Sequence, residues 1–348
     1  MISFIANEEY FKEPSGGGND IYSDLHALKS LGYKVNLLTI NELGKLSKIE
    51  TKETVSIKSL GNDVLFFSGF LSAERLCKIF PIELMENKKI INIKDVHFFR
   101  ELRSEILLKK KTNHQMVMKR ELRIYKACDL VLCYNDKEMV MLQKLLPKTN
   151  IQLHTYYDPT FIRNSEFKFN KRLVFAGNFN HIPNLDGVHH LISDLTGFIE
   201  DKDLELNIYG PGSIEKLAEY KNLPWLKVHG QVSNRHDIYK DGGIFISPIR
   251  FGSGIKIKLI EAALSSMPII ATAESVEGMP LKDSKTIIAY KSNPDIKTEI
   301  SKLIENQELQ KELSENAFKE IKKYSNNRLL QSNLSYFLGE ITINNKYF

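Results

Sequence analysis

The feature that most constrains this chain is a regular alternation of short apolar runs with longer stretches of helical apolar spacing. Runs at residues 2–5, 35–38, 64–67, 90–93, 130–133 and 151–154 form one set. A second set falls at 173–176, 206–209, 227–229, 244–247, 268–271 and 286–290. Runs so short and continuous suit strands buried on both faces. Segments between them, such as 21–31 with Leu25, Leu28 and Leu31 on one side, suit covering helices. Strands alternating with helices imply parallel sheets. The expected fold class is therefore α/β, with two Rossmann-like domains whose parallel sheets face each other across a cleft.

The length agrees, since 348 residues fits two domains of roughly 100–200 residues each. The polar stretch 158–171, with Asp158-Pro159, Asn164 and Asn170, reads as the connection. The expected limits are 1–158 for the first domain and 171–326 for the second. A helix over 327–348, carrying an apolar run at 329–338, is expected to pack back on the first. No run approaches the roughly 20 apolar residues of a membrane span, and Met1 leads into a strand-like Ile2-Ser3-Phe4-Ile5, so a cytoplasmic location is expected. Cys77, Cys128 and Cys133 show neither disulfide nor metal-ligand spacing.

A net charge of +5 does not call for nucleic acid, and none is expected as a partner. The basic residues do concentrate locally. Lys109, Lys110, Lys111, Lys119, Arg120 and Arg123 fall in a segment that reads as one helix. Such a helix is either a solvated face or a surface for anionic lipid or an anionic acceptor, on the inner face of the membrane in the lipid case.

Two glycine-bearing turns draw attention. Ser15-Gly16-Gly17-Gly18 opens the helical segment after the first strand, where glycines admit a ligand to the backbone and helix N–H groups attract an anion. Its spacing is not Gly-x-Gly-x-x-Gly, which argues against a dinucleotide fingerprint there. A plain strand-to-helix loop is the structural alternative. The second turn is denser. The strand at 244–247 ends at Pro248, a loop carries Arg250, Gly252, Ser253 and Gly254, and a helix follows with Lys256, Lys258 and Glu261. Main-chain amides and cations at such a helix start suit a diphosphate, and a carboxylate suits a ribose diol. The alternative is an intrahelical Lys258–Glu261 pair on a surface helix, worth only tenths of a kcal/mol.

These residues resemble the donor-binding motif of glycosyltransferase family 4. The resemblance extends over nearly the whole chain: Leu173-Val174-Phe175-Ala176-Gly177 with Pro183-Asn184, Leu206 through Gly212, Val228-His229-Gly230-Gln231-Val232, Thr272 through Gly278, Gly16 to Gly18, Asp95-Val96-His97, and Glu121 through Leu130. It implies the GT-B fold and a retaining, metal-independent transfer of a hexose-type sugar from a nucleotide-diphosphate sugar. The acceptor implied is a glycan or lipid-linked molecule, as in surface polysaccharide biosynthesis, and no cofactor is implied. By the resemblance, Glu261 holds the ribose, and Lys258 with Arg250 or Lys256 neutralises the leaving diphosphate. Amides of Gly254, Ile255 and Lys256 complete that cradle, with Ser253 beside them. Gln231 and Val232 sit beside the base, Gly210 belongs to a strand framing that pocket, and Gly17, Gly18, Gly177 and Asn178 line the donor. His97 meets the donor sugar or the acceptor, aided by Asp95.

Two positions depart from the family. Ser253 stands where many members place the first carboxylate of a Glu-x7-Glu pair, and Asn178-Phe179-Asn180-His181 replaces phosphate-binding Arg and Lys. A nucleotide-sugar epimerase and a non-catalytic GT-B scaffold subunit are the competing readings. Three other side chains have structural readings. His97 could cap the helix starting near Phe98, the adjacent His189 and His190 cannot face one ligand, and Asn184 is expected to cap the helix after Pro183.

Overall fold

The computed structural model describes residues 1–11, 16–159, 161, 166–291 and 293–344, with side chains at 16–20, 293–294 and 340–344 left aside. Ser15 and positions 160 and 162–165 of the expected connection lie outside the described residues. The chain divides into two compact units, Met1–Thr160 with Asn326–Phe348, and Phe161–Ser325.

The first unit contains β1 (Ile2–Asn7), α1 (Gly16–Ser30), β2 (Val35–Ile40), β3 (Leu46–Lys48), β4 (Thr54–Val55), β5 (Val64–Ser68) and α2 (Phe70–Leu76). It continues with β6 (Lys89–Ile93), α3 (His97–Leu108), α4 (His114–Ala127), β7 (Leu130–Cys133), α5 (Asp136–Leu145) and β8 (Ile151–Leu153). Among the described residues these strands form one eight-stranded sheet in the order β4-β3-β2-β1-β5-β6-β7-β8. From β2 to β8 the pairing is parallel, for example Ile5 beside Leu38 and Phe67. The edge hairpin β3–β4 is antiparallel and was not expected from the sequence. Its strands are too short and polar to show an apolar run.

Alternation along each strand divides the core in two. Ile5, Phe67, Ile91, Val131 and Cys133 face α2, α4 and α5, while Phe4, Phe66, Ile90 and Leu130 lie on the face of α1. The chain's last helix closes this second face. Leu330, Leu334, Phe337 and Leu338 recur at helical spacing and join Ile21, Leu25 and Leu28 in that core.

The second unit contains β9 (Leu173–Ala176), α6 (Ile182–Leu195), α7 (Phe198–Asp201), β10 (Leu206–Tyr209), α8 (Ser213–Lys216), β11 (Leu226–Gly230) and α9 (His236–Tyr239). It goes on with β12 (Ile244–Ser247), α10 (Ile257–Leu264), β13 (Ile269–Ala271), β14 (Ile288–Ala289), α11 (Asn293–Glu305) and α12 (Gln307–Tyr324); the final helix, in the first unit, is α13 (Arg328–Asn344). The six strands are parallel in the order β11-β10-β9-β12-β13-β14. The first strand in sequence, β9, thus lies between β10 and β12. Chain direction reverses there, and the loops leaving β9 and β12 part on either side of a switch point, where open parallel sheets receive ligands.

The basic segment departs from expectation. It is not one helix: α3 ends at Leu108, Lys109 takes a left-handed φ of 51°, and α4 starts only at His114. Lys109, Lys110 and Lys111 are exposed in the connection. Three consecutive lysines repel one another, and Glu105 accepts from the Thr112 N–H and hydroxyl, which turns the chain out of the helix.

Candidate donor site in the second unit

The loop after β12 is set by its neighbours before any ligand arrives. Pro248 cannot donate to the ladder, so the strand stops. The Ser275 hydroxyl donates to the Ser247 carbonyl at 2.9 Å, and the Thr272 hydroxyl donates to the Ile249 carbonyl at 2.5 Å. These bonds tie the loop after β12 to the one after β13. Phe251 is buried below, Ser253 is 9% exposed, and Gly254 takes a left-handed φ of 64°. Lys256 turns its ammonium back onto the carbonyls of Ser253 (3.3 Å) and Gly254 (2.8 Å), then α10 begins. Ile255 and Lys256 therefore stand at the amino end of that helix.

Lys258 and Glu261 do not behave as a surface pair. The Lys258 ammonium donates to Asn184 Oδ1 at 2.7 Å and lies 4.1 Å from the centre of the Phe175 ring. It also lies beside Gly177, where a Cβ would stand 3.0 Å from Lys258 Nζ and 2.9 Å from Asn184 Cγ. Only glycine leaves room there. Burial drives the Lys258 pKa well below the usual lysine value, and the Lys256 charge adds to the shift against a smaller opposing effect from Glu261.

Glu261 is buried, with Oε2 accepting from the Tyr239 hydroxyl at 2.8 Å and Oε1 in a close ion pair with Arg235. Arg250, by contrast, is drawn to Asp186 on α6 at 2.9 Å. Its charge is already shared.

Asn184 is corrected from a helix cap to an anchor. The N-cap of α6 is His181, and Asn184, inside the first turn, donates to the Asn178 carbonyl at 2.8 Å while accepting from Lys258. The helix already begins at Ile182, three positions earlier than a capping Asn184 requires, and the Lys258 ammonium claims the Asn184 oxygen. Asn178 itself accepts from the Asn180 N–H, which closes the tight turn after β9. Gly210, after β10, has φ of 130°, and a Cβ there would meet the Gly177 carbonyl oxygen at 1.9 Å. Gln231 is exposed and Val232 half-buried just beyond β11. Gly177, Asn178, Gly210, Gln231, Val232, Ser253, Gly254, Ile255 and Lys256 thus all lie beyond the carboxyl ends of the strands. The carboxylates of Asp201 and Asp203 precede β10 and belong to the opposite edge of the sheet.

In the first unit, Gly17 and Gly18 lie in the first turn of α1 and His97 opens α3 after β6. His97 does not cap the helix. The carboxylate of Glu121 on α4 does so, accepting from the N–H groups of His97 (3.0 Å) and Phe98 (2.8 Å) and from the Tyr125 hydroxyl (2.9 Å). Burial raises the Glu121 pKa, partly offset by His97 and these donors. The signal for it in the sequence was a lone carboxylate on an apolar helix stripe. The His97 ring makes a 3.2 Å pair with Asp95, which also binds Arg100. Burial alone would depress the His97 pKa, but the charge and hydrogen bond of Asp95, with Glu121, outweigh it and the net shift is upward. His189 meets the Tyr220 hydroxyl and His190 stays half exposed, so the adjacent pair does diverge.

With this geometry established, known proteins place the chain. Its fold is the GT-B fold of glycosyltransferases. Residues 170–306, most of the second unit, match the family described as "Glycosyl transferases group 1". Among solved structures, TarM is similar at 17% identity and a TM-score of 0.66, over 84% of this chain and 61% of TarM. This chain thus spans less than two thirds of TarM's length. Sucrose-phosphate synthase from Thermosynechococcus elongatus is similar at 11% identity and a TM-score of 0.72, over 98% of this chain and 99% of that one. Anabaena HepE in complex with UDP and glucose is similar at 9% identity and a TM-score of 0.69, over 97% and 99%. No curated protein sequence matches the chain.

Proposed function

We propose that this protein transfers a hexose-type sugar from a nucleotide-diphosphate sugar to a glycan or lipid-linked acceptor, with retention and without a metal ion. The observation that carries this reading is the Lys258 ammonium, half-buried at the switch point of a parallel sheet between Gly177 and the glycine-bearing loop and held there by Asn184 and the Phe175 ring. Isolating a cation there costs stability unless an anion is received. In the proposal the diphosphate takes the amides of Gly254, Ile255 and Lys256, and Lys258 stabilises the charge that grows as the glycosidic bond breaks. Lys256 and Arg250 add positive potential, Glu261 accepts from the ribose hydroxyls, and the base lies by Gln231 and Val232. His97, held by Asp95, contacts the sugar or the acceptor.

For the acceptor side, the end of α3 offers chemistry suited to an anionic membrane surface at the cytoplasmic face. Ile106 (69% exposed), Leu107 and Leu108 are uncovered directly before Lys109, Lys110 and Lys111. Apolar side chains next to ammonium groups match a lipid surface bearing negative headgroups, and binding to anionic but not neutral vesicles is expected.

The deciding experiment is a thermal-shift screen over UDP, GDP, dTDP, ADP and CMP, followed by turnover of the matching sugar donor. UDP is tried first because HepE was solved with it. A nucleotide at 100 times its dissociation constant stabilises by about 2.7 kcal/mol. Binding of none supports the scaffold reading, and an epimerised donor in place of released nucleotide supports the epimerase.

A further inference from the structure

Glu261 is held in a manner that its own helix does not require. Arg235, from the segment between β11 and α9, pairs with Oε1, and Tyr239, at the end of α9, donates to Oε2 at 2.8 Å. Each carboxylate oxygen has its own donor. The two donors come from one short stretch, whereas the carboxylate comes from α10. Behind them lies Phe161, the residue that opens the second unit and is 5% exposed. The Arg235 guanidinium lies 5.4 Å from the Phe161 ring centre, the His236 ring stacks on that ring at 4.5 Å and 21°, and Tyr239 meets it edge-on at 6.0 Å.

We propose that Arg235 and Tyr239 are positioning residues for ribose recognition, fixing the plane of the Glu261 carboxylate so that it meets a vicinal diol. This rests on the donor-site reading above. A glutamate has three side-chain torsions, and the last is broad and unlocked by the helix. A carboxylate free to turn loses that freedom on binding, and the cost falls on the ligand. One donor on each oxygen removes the last rotation beforehand and holds the group ionised. Phe161 completes the arrangement, because a flat guanidinium packed on an aromatic face can point its N–H groups in only a few directions. Lysine in place of Arg235 keeps the charge but lacks the fork.

The consequence is selective. Loss of Arg235 or of the Tyr239 hydroxyl weakens binding of ribonucleotides more than that of nucleotides lacking one ribose hydroxyl. The test titrates UDP, or whichever diphosphate stabilises the parent protein most, beside its 2′-deoxy and 3′-deoxy forms by calorimetry. The parent is expected to prefer the ribonucleotide. Arg235→Ala is expected to reduce that preference by about tenfold, the scale of one charge-assisted hydrogen bond. Tyr239→Phe acts in the same direction, and Arg235→Lys restores part of the preference. Melting temperatures confirm that each variant is folded, and Tyr239→Phe, which removes one oxygen atom, keeps the test open should Arg235→Ala unfold. If the parent shows no preference, the ribose role of Glu261 fails and this inference with it. If the parent discriminates and the folded variants keep the same ratio while losing affinity for all three nucleotides alike, the positioning role alone is overturned.

Discussion

Each unit buries polar groups at the carboxyl ends of its strands, but they are resolved in opposite ways. In the first unit Asn92 on β6 donates to both oxygens of Asp24 on α1 (2.8 and 3.0 Å), and its own oxygen accepts from His154 Nε2 at 2.9 Å. The tautomer of His154 follows: Nε2 carries the proton because Asn92 offers it only an oxygen. Tyr134 lies against the His154 ring at 4.0 Å, and all four residues are buried. This network pairs Asp24, Asn92 and the His154 Nε2 with one another and pins α1, with Gly17 and Gly18 at its start, to the sheet. In the second unit the half-buried Lys258 has an amide oxygen and an aromatic face for company. The first arrangement is that of a scaffold. The second leaves a charge to be answered from outside.

The largest expected effect tests the scaffold half. Burial lowers the His154 pKa to about 3, against 6.5 for the exposed ring. Above 6.5 both folded and unfolded chains carry a neutral ring. As pH falls below that value the unfolded chain takes up a proton that the folded one refuses. Stability therefore falls by about 1.4 kcal/mol per pH unit down to pH near 3, roughly 5 kcal/mol in all. In His154→Phe, denaturant titrations at several pH values should lack this contribution, at the cost of lower stability at pH 7 because Asn92 loses its donor. An unchanged acid slope would break the comparison.

The next effect tests the other half. Lys258→Ala is expected to cost at least about 3 kcal/mol in kcat/KM, as for removal of a group that stabilises developing charge. Lys258→Met should melt no lower than the parent, since it relieves the burial of a cation. Asn184→Leu should give a smaller loss, about tenfold in donor affinity, by letting the ammonium swing away from Gly177. A Lys258 variant that turns over within twofold of the parent would reduce the lysine to packing.

The fold was largely legible because continuous apolar runs and the helical spacing between them are local signals. Strands Leu130–Cys133, Leu173–Ala176, Leu206–Tyr209 and Ile244–Ser247 stand at the positions their apolar runs give. The β3–β4 hairpin was not legible, because strands of three and two residues with one buried side chain, Leu46, show no apolar run. At the site, the residue types could be read but their partners could not. Nothing in Lys258 and Glu261, three apart on one helix, shows that one turns to Asn184 and the other to Arg235 and Tyr239, since those contacts span 74, 26 and 22 residues. The same holds for Glu121, whose carboxylate serves a helix start 23 and 24 residues away. The break at Lys109 was missed for a related reason: the charges were visible, but not the Glu105 acceptor that ends the helix.

The most direct measurement is a crystal structure of the protein with its nucleoside diphosphate. The account predicts the diphosphate within about 2.7–3.2 Å of Lys258 Nζ and of the amides at 254–256, with both ribose hydroxyls on Glu261. Phosphates bound at any other place, with the Lys258–Asn184 contact undisturbed, would contradict it.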